Sequence, residues 1–154
     1  MGKLLTRRSA RPIPTREDFE AYRGAHTHKI WASLPRHWQC PSCGRTRFQL
    51  LTWTKSLTDS SRRVFGDYHW LAAIHEHHDH RSENGYYLPR FAPAFICGNC
   101  NSADGAVKRR FKLPVDFSFS PQELSKFVVG HPHDGVEIDF EAAKSLYDSV
   151  GVPP

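Results

Sequence analysis

Residues 40–43 read CPSC and residues 97–100 read CGNC, and these two pairs contain all four cysteines of the chain. Each pair has the two-residue spacing of a zinc knuckle, and two such turns complete a tetrahedral thiolate site when strands bring them together. The expected ligands of one structural zinc ion are Cys40, Cys43, Cys97 and Cys100. Because four thiolates leave no position for substrate, this ion would hold the fold and leave catalysis to other residues. Buried free thiols and redox-active pairs are the alternatives.

The chain has 154 residues, enough for one domain with a modest core. Its 21 Lys and Arg against 16 Asp and Glu give a net charge of +5. Residues 1–111 carry 18 of the basic and 9 of the acidic side chains, whereas residues 112–154 carry 3 and 7. A basic body of this kind indicates a polyanionic partner. Since no apolar run approaches the roughly 18 residues that a membrane span needs, we expect no membrane partner and a cytoplasmic location.

Composition and patterning divide the chain into four segments. Residues 1–14 predict a flexible basic arm, residues 15–37 an N-terminal helical segment capped by Thr15, and residues 112–154 an acidic helical tail that packs on the core. Within the core, residues 38–111, the expected elements are strands at 47–54, 68–80 and 91–97, a loop at 55–66, a turn at 84–85 and a helix at 102–111. The sequence therefore predicts an α+β fold.

Residues 75–80 read HEHHDH and form the densest group of ligand-type side chains in the chain. On a strand, His75, His77 and Asp79 would share one face. The residues between them, Glu76, His78 and His80, would share the other face. Such a cluster is typical of a metal or acid–base site. A second structural metal site and an accidental polar run are the alternatives.

Residues 77–80 (HHDH), 84–85 (NG) and 95–111 (FICGNCNSADGAVKRRF) together resemble the core of the endonuclease VII family of phage recombination endonucleases and, more widely, the HNH or His-Me finger nucleases. In that family a DHDH strand lies between two zinc-binding cysteine pairs, and the second pair runs into Asn, an acidic residue, Gly and a basic helix. Asn101, Asp104 and Gly105 fit this order. Across 38–111 the resemblance implies a zinc-stabilised ββα-metal core, flanked by an N-terminal helix and C-terminal helices, and metal-dependent DNA endonuclease activity.

The resemblance also implies roles for individual residues. His78 would be the general base that activates water, His77 and Asn101 would hold a catalytic Mg²⁺ or Mn²⁺ ion, and His80 would support the site. A second register makes Asp79 the ligand and His80 the base, and a third uses Glu76 and His77. Because a histidine-ligated site is poor in oxygen, it should accept Mn²⁺ or Zn²⁺ more readily than Mg²⁺, unless Asn101 or Asp104 adds an oxygen.

Cations around the predicted core would meet DNA phosphates without reading sequence. The candidates are Arg45, Arg47, Lys55, Arg62, Arg63, Lys108, Arg109 and Arg110. Two other hypotheses remain open. The chain could be a zinc-ribbon DNA-binding module that does not cut, or a nuclease-fold subunit of a larger phage or defence assembly. A homodimer is also compatible with the sequence. In each case the expected location is the cytoplasm of a bacterium or of a phage-infected host.

Overall fold

A computed structural model describes residues 11–59 and 64–150 of the chain. Its first half contains α1 (Arg16–Ala21), a 3₁₀ turn (Ala25–Thr27), α2 (His28–Ser33), α3 (Arg47–Leu50), β1 (Thr52–Asp59) and β2 (Val64–Leu71). The Thr15 hydroxyl accepts a hydrogen bond from the Asp18 amide, while the Asp18 carboxylate accepts one from the Thr15 amide. This reciprocal cap begins α1 where the sequence predicts a helix.

The centre of the fold consists of two antiparallel strands and the helix that follows them. β3 (Ile74–His77) pairs with β6 (Ala94–Cys97), with the first residue of β3 opposite the last residue of β6. Helix α4 (Gly98–Phe111) starts directly after β6 and packs on both strands. In the chain between β3 and β6, β4 (Ser82–Glu83) and β5 (Tyr86–Tyr87) form a small hairpin around the predicted turn at 84–85. The chain is therefore a mixed α+β protein.

The acidic tail belongs to the same hydrophobic core as the centre. It contains α5 (Pro121–Leu124), β7 (Val128–Gly130), β8 (Val136–Ile138) and α6 (Phe140–Ser149), with β7 and β8 paired antiparallel. The tail side chains in the buried cluster are Phe117, Phe119, Leu124, Phe127, Val128 and Ala143. Since burying one large apolar side chain stabilises a fold by about 1.5–3 kcal/mol, the tail is a large part of what holds the centre together.

Local structure differs from expectation between residues 46 and 71. The predicted strand at 47–54 begins as a helical turn, because Thr46 and Gln49 form a second reciprocal cap that starts α3. The predicted loop at 55–66 is largely occupied by β1 and β2, which pair antiparallel with Trp53 opposite Trp70. Cross-strand aromatic pairs of this kind stabilise a two-stranded ribbon.

Of the basic arm, residues 11–14 are described, and the Arg11 guanidinium lies 3.2 Å from the Asp134 carboxylate. Pro14 is buried. The arm cations Lys3, Arg7 and Arg8 lie outside the described residues, as do Arg62 and Arg63.

Within residues 11–59 and 64–150, no helix has the length and apolar character to cross a bilayer.

Candidate functional site

The four cysteines converge on one point. Their sulfur atoms all lie within 4.8 Å of one another. Cys40 Sγ is 3.9 Å from Cys100 Sγ, and Cys43 Sγ is 3.8 Å from Cys97 Sγ. A tetrahedral zinc ion with Zn–S bonds of about 2.3 Å places neighbouring sulfurs roughly 3.8 Å apart, so both spacings fit. The cysteines form a candidate metal site consistent with zinc.

Each cysteine pair is positioned by its own local element. The first pair sits in a tight turn closed by hydrogen bonds between Cys40 and Arg45 (2.9 Å) and between Gly44 and Cys40 (2.8 Å). Gly44 has φ +71°, a left-handed conformation that favours glycine over residues with a Cβ. The second pair spans the end of β6 and the first turn of α4, with Cys97 as the N-cap residue. The cysteine cluster therefore connects β6 and α4 to the segment before α3.

Arg45 lies beside the sulfurs and not on a DNA-facing surface, which corrects the expected phosphate contact. It is 2% exposed. Its guanidinium lies 3.3 Å from Cys43 Sγ and 3.4 Å from Cys97 Sγ. It also donates to the carbonyl oxygens of His131 and Asp134, at 3.1 and 2.6 Å. A buried cation here offsets the negative charge that four thiolates and a divalent ion would leave.

A second centre is an open pocket of about 180 Å³ between the end of β3 and α4. Its lining residues are Glu76, His77, His78, His80, Asn101, Asp104, Lys108 and Ser118. The structure thus brings together His77, His78, His80 and Asn101, which the sequence predicts to share a site. We call this the histidine pocket.

His77 is held in one orientation from both sides of its ring. It is 3% exposed. Nε2 lies 2.7 Å from the carbonyl oxygen of Phe119, and Nδ1 lies 3.1 Å from Asn101 Oδ1. The ring also stacks on Phe91, with centroids 5.5 Å apart. The Nδ1–Oδ1 spacing is that of an ordinary hydrogen bond, and it is also close to the roughly 3.0 Å between neighbouring ligands that each lie about 2.1 Å from an octahedral ion.

Helix α4 presents three polar side chains to the pocket at helical spacing: Asn101, Asp104 and Lys108. Asp104 Oδ1 accepts a hydrogen bond from the Phe119 amide (2.8 Å), and Lys108 Nζ lies 3.5 Å from Asp104 Oδ2. Burial raises the pKa of the Asp104 carboxyl, and the Phe119 amide and the Lys108 ammonium oppose that rise. A cation and an acidic group therefore stand next to the three imidazoles.

Asp79 does not line the pocket, which corrects its expected role as a ligand in the second register. It is fully buried. Its carboxylate accepts hydrogen bonds from the amides of Arg90 (2.8 Å) and Ser118 (3.1 Å), and its carbonyl oxygen accepts one from Tyr87 (2.8 Å). Asp79 thus connects the segment that follows β3 to the main chain at Arg90 and Ser118.

His78 and His80 lie side by side at the pocket, with ring centroids 4.5 Å apart. His80 is exposed and His78 partly buried. His75 lines a different, larger cavity, which is also lined by Thr52 of β1 and Leu71 of β2. Burial lowers the pKa of His75. The run HEHHDH is therefore divided between two cavities and the core.

The remaining predicted DNA contacts are unevenly placed. Arg47 donates to the carbonyl oxygens of Leu34 (3.0 Å) and Trp31 (2.9 Å) and does not line the histidine pocket, so its predicted DNA contact would lie outside that pocket. Lys108 lines the pocket, and Arg109 and Arg110 are exposed near the end of α4.

Sequence reasoning missed the contribution of the tail to this pocket. Ser118 lines it, and the Phe119 main chain contacts both His77 and Asp104. Main-chain contacts of this kind depend on tertiary packing and have no residue-type signature, so no sequence signal could have found them.

No protein-family model, curated protein or solved structure matches the chain.

Proposed function

We propose that the protein is a metal-dependent DNA endonuclease whose active site is the histidine pocket. The observation that carries the proposal is that three residues line one open pocket. They are His77, the last residue of β3, His78, which follows it, and Asn101 on α4. Two strands followed directly by a helix, with histidines on the first strand and an asparagine on the helix, is the arrangement that the resemblance to HNH nucleases implies. On this proposal β3, β6 and α4 are a ββα-metal core.

The tautomer of His77 supports a cation site. The Phe119 carbonyl oxygen can only accept a hydrogen bond, so in a neutral ring the proton lies on Nε2. Nδ1 then presents a lone pair to Asn101 Oδ1, which is also an acceptor. Two acceptors at 3.1 Å are brought together favourably by a shared cation. His77 and Asn101 would hold it, with Asp104 as the nearest further oxygen donor.

His78 is the proposed general base. A neutral imidazole near pH 7 can take a proton from water as that water attacks the phosphate. A divalent ion at His77 and Asn101 would supply charge neutralisation at the scissile phosphate. Lys108 lines the same pocket and would attract the phosphate by its charge. The cysteine site contributes structure alone, because all four of its ligands come from the protein.

A second candidate is a zinc-stabilised DNA-binding module that does not cut. The favouring observation is that both ring nitrogens of His77 already have protein partners. If the Asn101 amide is turned by 180°, its NH₂ group donates to Nδ1, and His77 becomes a satisfied structural histidine.

Purified zinc-loaded protein incubated with plasmid and with a four-way junction, with added Mg²⁺ or Mn²⁺, separates the two candidates. We expect cleavage by the natural chain and cleavage at least about a hundredfold slower by His78→Ala at equal zinc content. Binding without cleavage under every divalent ion tested would favour the non-cutting module.

A further inference from the structure

A recess on the N-terminal helical segment gathers three arginines outside the histidine pocket. It has a volume of about 310 Å³ and lies among α1, α2 and the start of α3. Its lining residues are Phe19, Glu20, Tyr22, Arg23, Trp31, Arg36 and Arg47. We call it the arginine recess.

The recess has one carboxylate, Glu20, against three arginines, and the hydrogen bond from Arg16 and, after it, the charge of Arg36 contribute to a lowered pKa of Glu20. Glu20 accepts a hydrogen bond at 2.8 Å from Arg16, which lies outside the recess. Within the described part of the chain, neither Arg23, Arg36 nor Arg47 forms an ion pair. Three guanidiniums against one carboxylate leave the recess with an excess of positive charge, so it favours an anion.

Two of the three guanidiniums are fixed by neutral acceptors. Arg47 donates to two carbonyl oxygens and lies 4.0 Å above the Trp31 ring. Arg23 donates to the carbonyl oxygens of Glu20 and Tyr22. Carbonyl and ring contacts orient a guanidinium and leave its charge in place, so both side chains add positive charge to the recess.

The floor of the recess is rigid. Trp31 is 5% exposed and contacts the rings of Phe19 and Tyr22 edge to face, with centroids 6.1 and 4.8 Å apart. The Tyr22 hydroxyl accepts a hydrogen bond from the Ala72 amide, between β2 and β3. This recess is therefore built into the same packed unit as the strand that carries His77.

We propose that the arginine recess binds a backbone phosphate of the DNA, as a second anchoring point remote from the scissile bond. The choice of DNA as the ligand rests on the proposed function, whereas the recess itself rests on three arginines that line it against one carboxylate. Contacts of this kind position a duplex and add affinity without reading bases.

The test uses the full zinc-loaded chain with no added divalent ion and a labelled duplex. Arg23→Ala/Arg36→Ala removes two recess charges, and Lys29→Ala/Lys126→Ala removes two exposed charges elsewhere as a matched control. We expect the recess variant to raise Kd at least about tenfold and to lower the slope of log K against log salt by about 0.9, the value for one phosphate contact. The control should change both much less. Equal melting temperatures and zinc contents show that both variants fold.

Equal losses in the two double variants would overturn the proposal, because charge alone would then explain them. A titration with inorganic phosphate, followed through the arginine side-chain NMR signals, gives a second reading. Phosphate that shifts Arg23 and Arg36 signals, without any effect of the variant on duplex affinity, would assign the recess to a small phosphate compound and reject DNA. A natural chain that binds no duplex would count against the proposed function, and the phosphate titration would still decide whether the recess binds anions.

Discussion

The imidazole Nε2 of His77 lies 2.7 Å from the carbonyl oxygen of Phe119, a residue 42 positions later in the chain. The amide of the same Phe119 donates to Asp104. One residue of the acidic tail thus fixes both a strand histidine and a helix carboxylate of the histidine pocket. The tail is therefore part of the candidate active site as well as part of the core.

The cysteine site should contain one zinc ion per chain, and its removal should unfold the protein. Ligand binding energy in a closed four-thiolate site is folding energy, because the site does not exist in the unfolded chain. Metal analysis of the purified chain and circular dichroism after chelation measure both effects. Native protein without zinc, or with thiols that alkylate freely, would contradict this.

Replacing Arg45 by Met should weaken zinc retention by about 10- to 100-fold, the usual effect of losing a group that supports metal ligands. The physical reason is loss of the buried cation that contacts Cys43 and Cys97. Competition with a zinc chelator measures the affinity, and Lys126→Met, at an exposed position, is the control. Unchanged retention in Arg45→Met would mean that the thiolates do not need this charge.

His78→Ala should lower the rate of DNA cleavage by about two to four orders of magnitude, the size of a general-base contribution, while zinc content and folding stay unchanged. Asn101→Ala should instead raise the concentration of divalent ion needed for activity, because it removes a ligand. Single-turnover assays across a metal titration separate the two effects. If His80→Ala were inactive and His78→Ala cut normally, the base would be His80.

Asp79→Asn should destabilise the fold by about 1–3 kcal/mol, since a neutral amide cannot accept from both the Arg90 and Ser118 amides as the carboxylate does. Urea unfolding measures the loss, with Asp116→Asn at an exposed position as control. A variant with natural stability and no cleavage would identify Asp79 as a metal ligand and restore the second register.

DNA affinity should fall steeply between roughly 50 and 200 mM salt, because contacts to phosphate release counterions. We expect the 18 basic side chains within residues 1–111 to make these contacts. Fluorescence anisotropy with a duplex across that range measures the slope. Affinity that does not change with salt would exclude the basic surface as the source of binding.

Features that depend on neighbours in the chain could be predicted from the sequence. The cysteine pairs, the helix cap at Thr15, the turn at 84–85 and the α+β class all follow from short spacings and residue types. Each is set by chain geometry within a few residues, so it is readable without the fold. The second cap, formed by Thr46 and Gln49, has an equally local signal, but the predicted strand at 47–54 was based on its strand-forming residues alone.

Whether a polar residue faces solvent, a pocket or the core depends on the tertiary structure and could not be predicted. Arg45 and Asp79 have the residue types of a phosphate contact and a metal ligand, yet both are buried and used by partners from distant segments. Likewise, the arginine recess requires α1, α2 and α3 to meet. Burial and charge pairing depend on contacts between residues far apart in sequence, and those contacts form when the hydrophobic core brings the segments together.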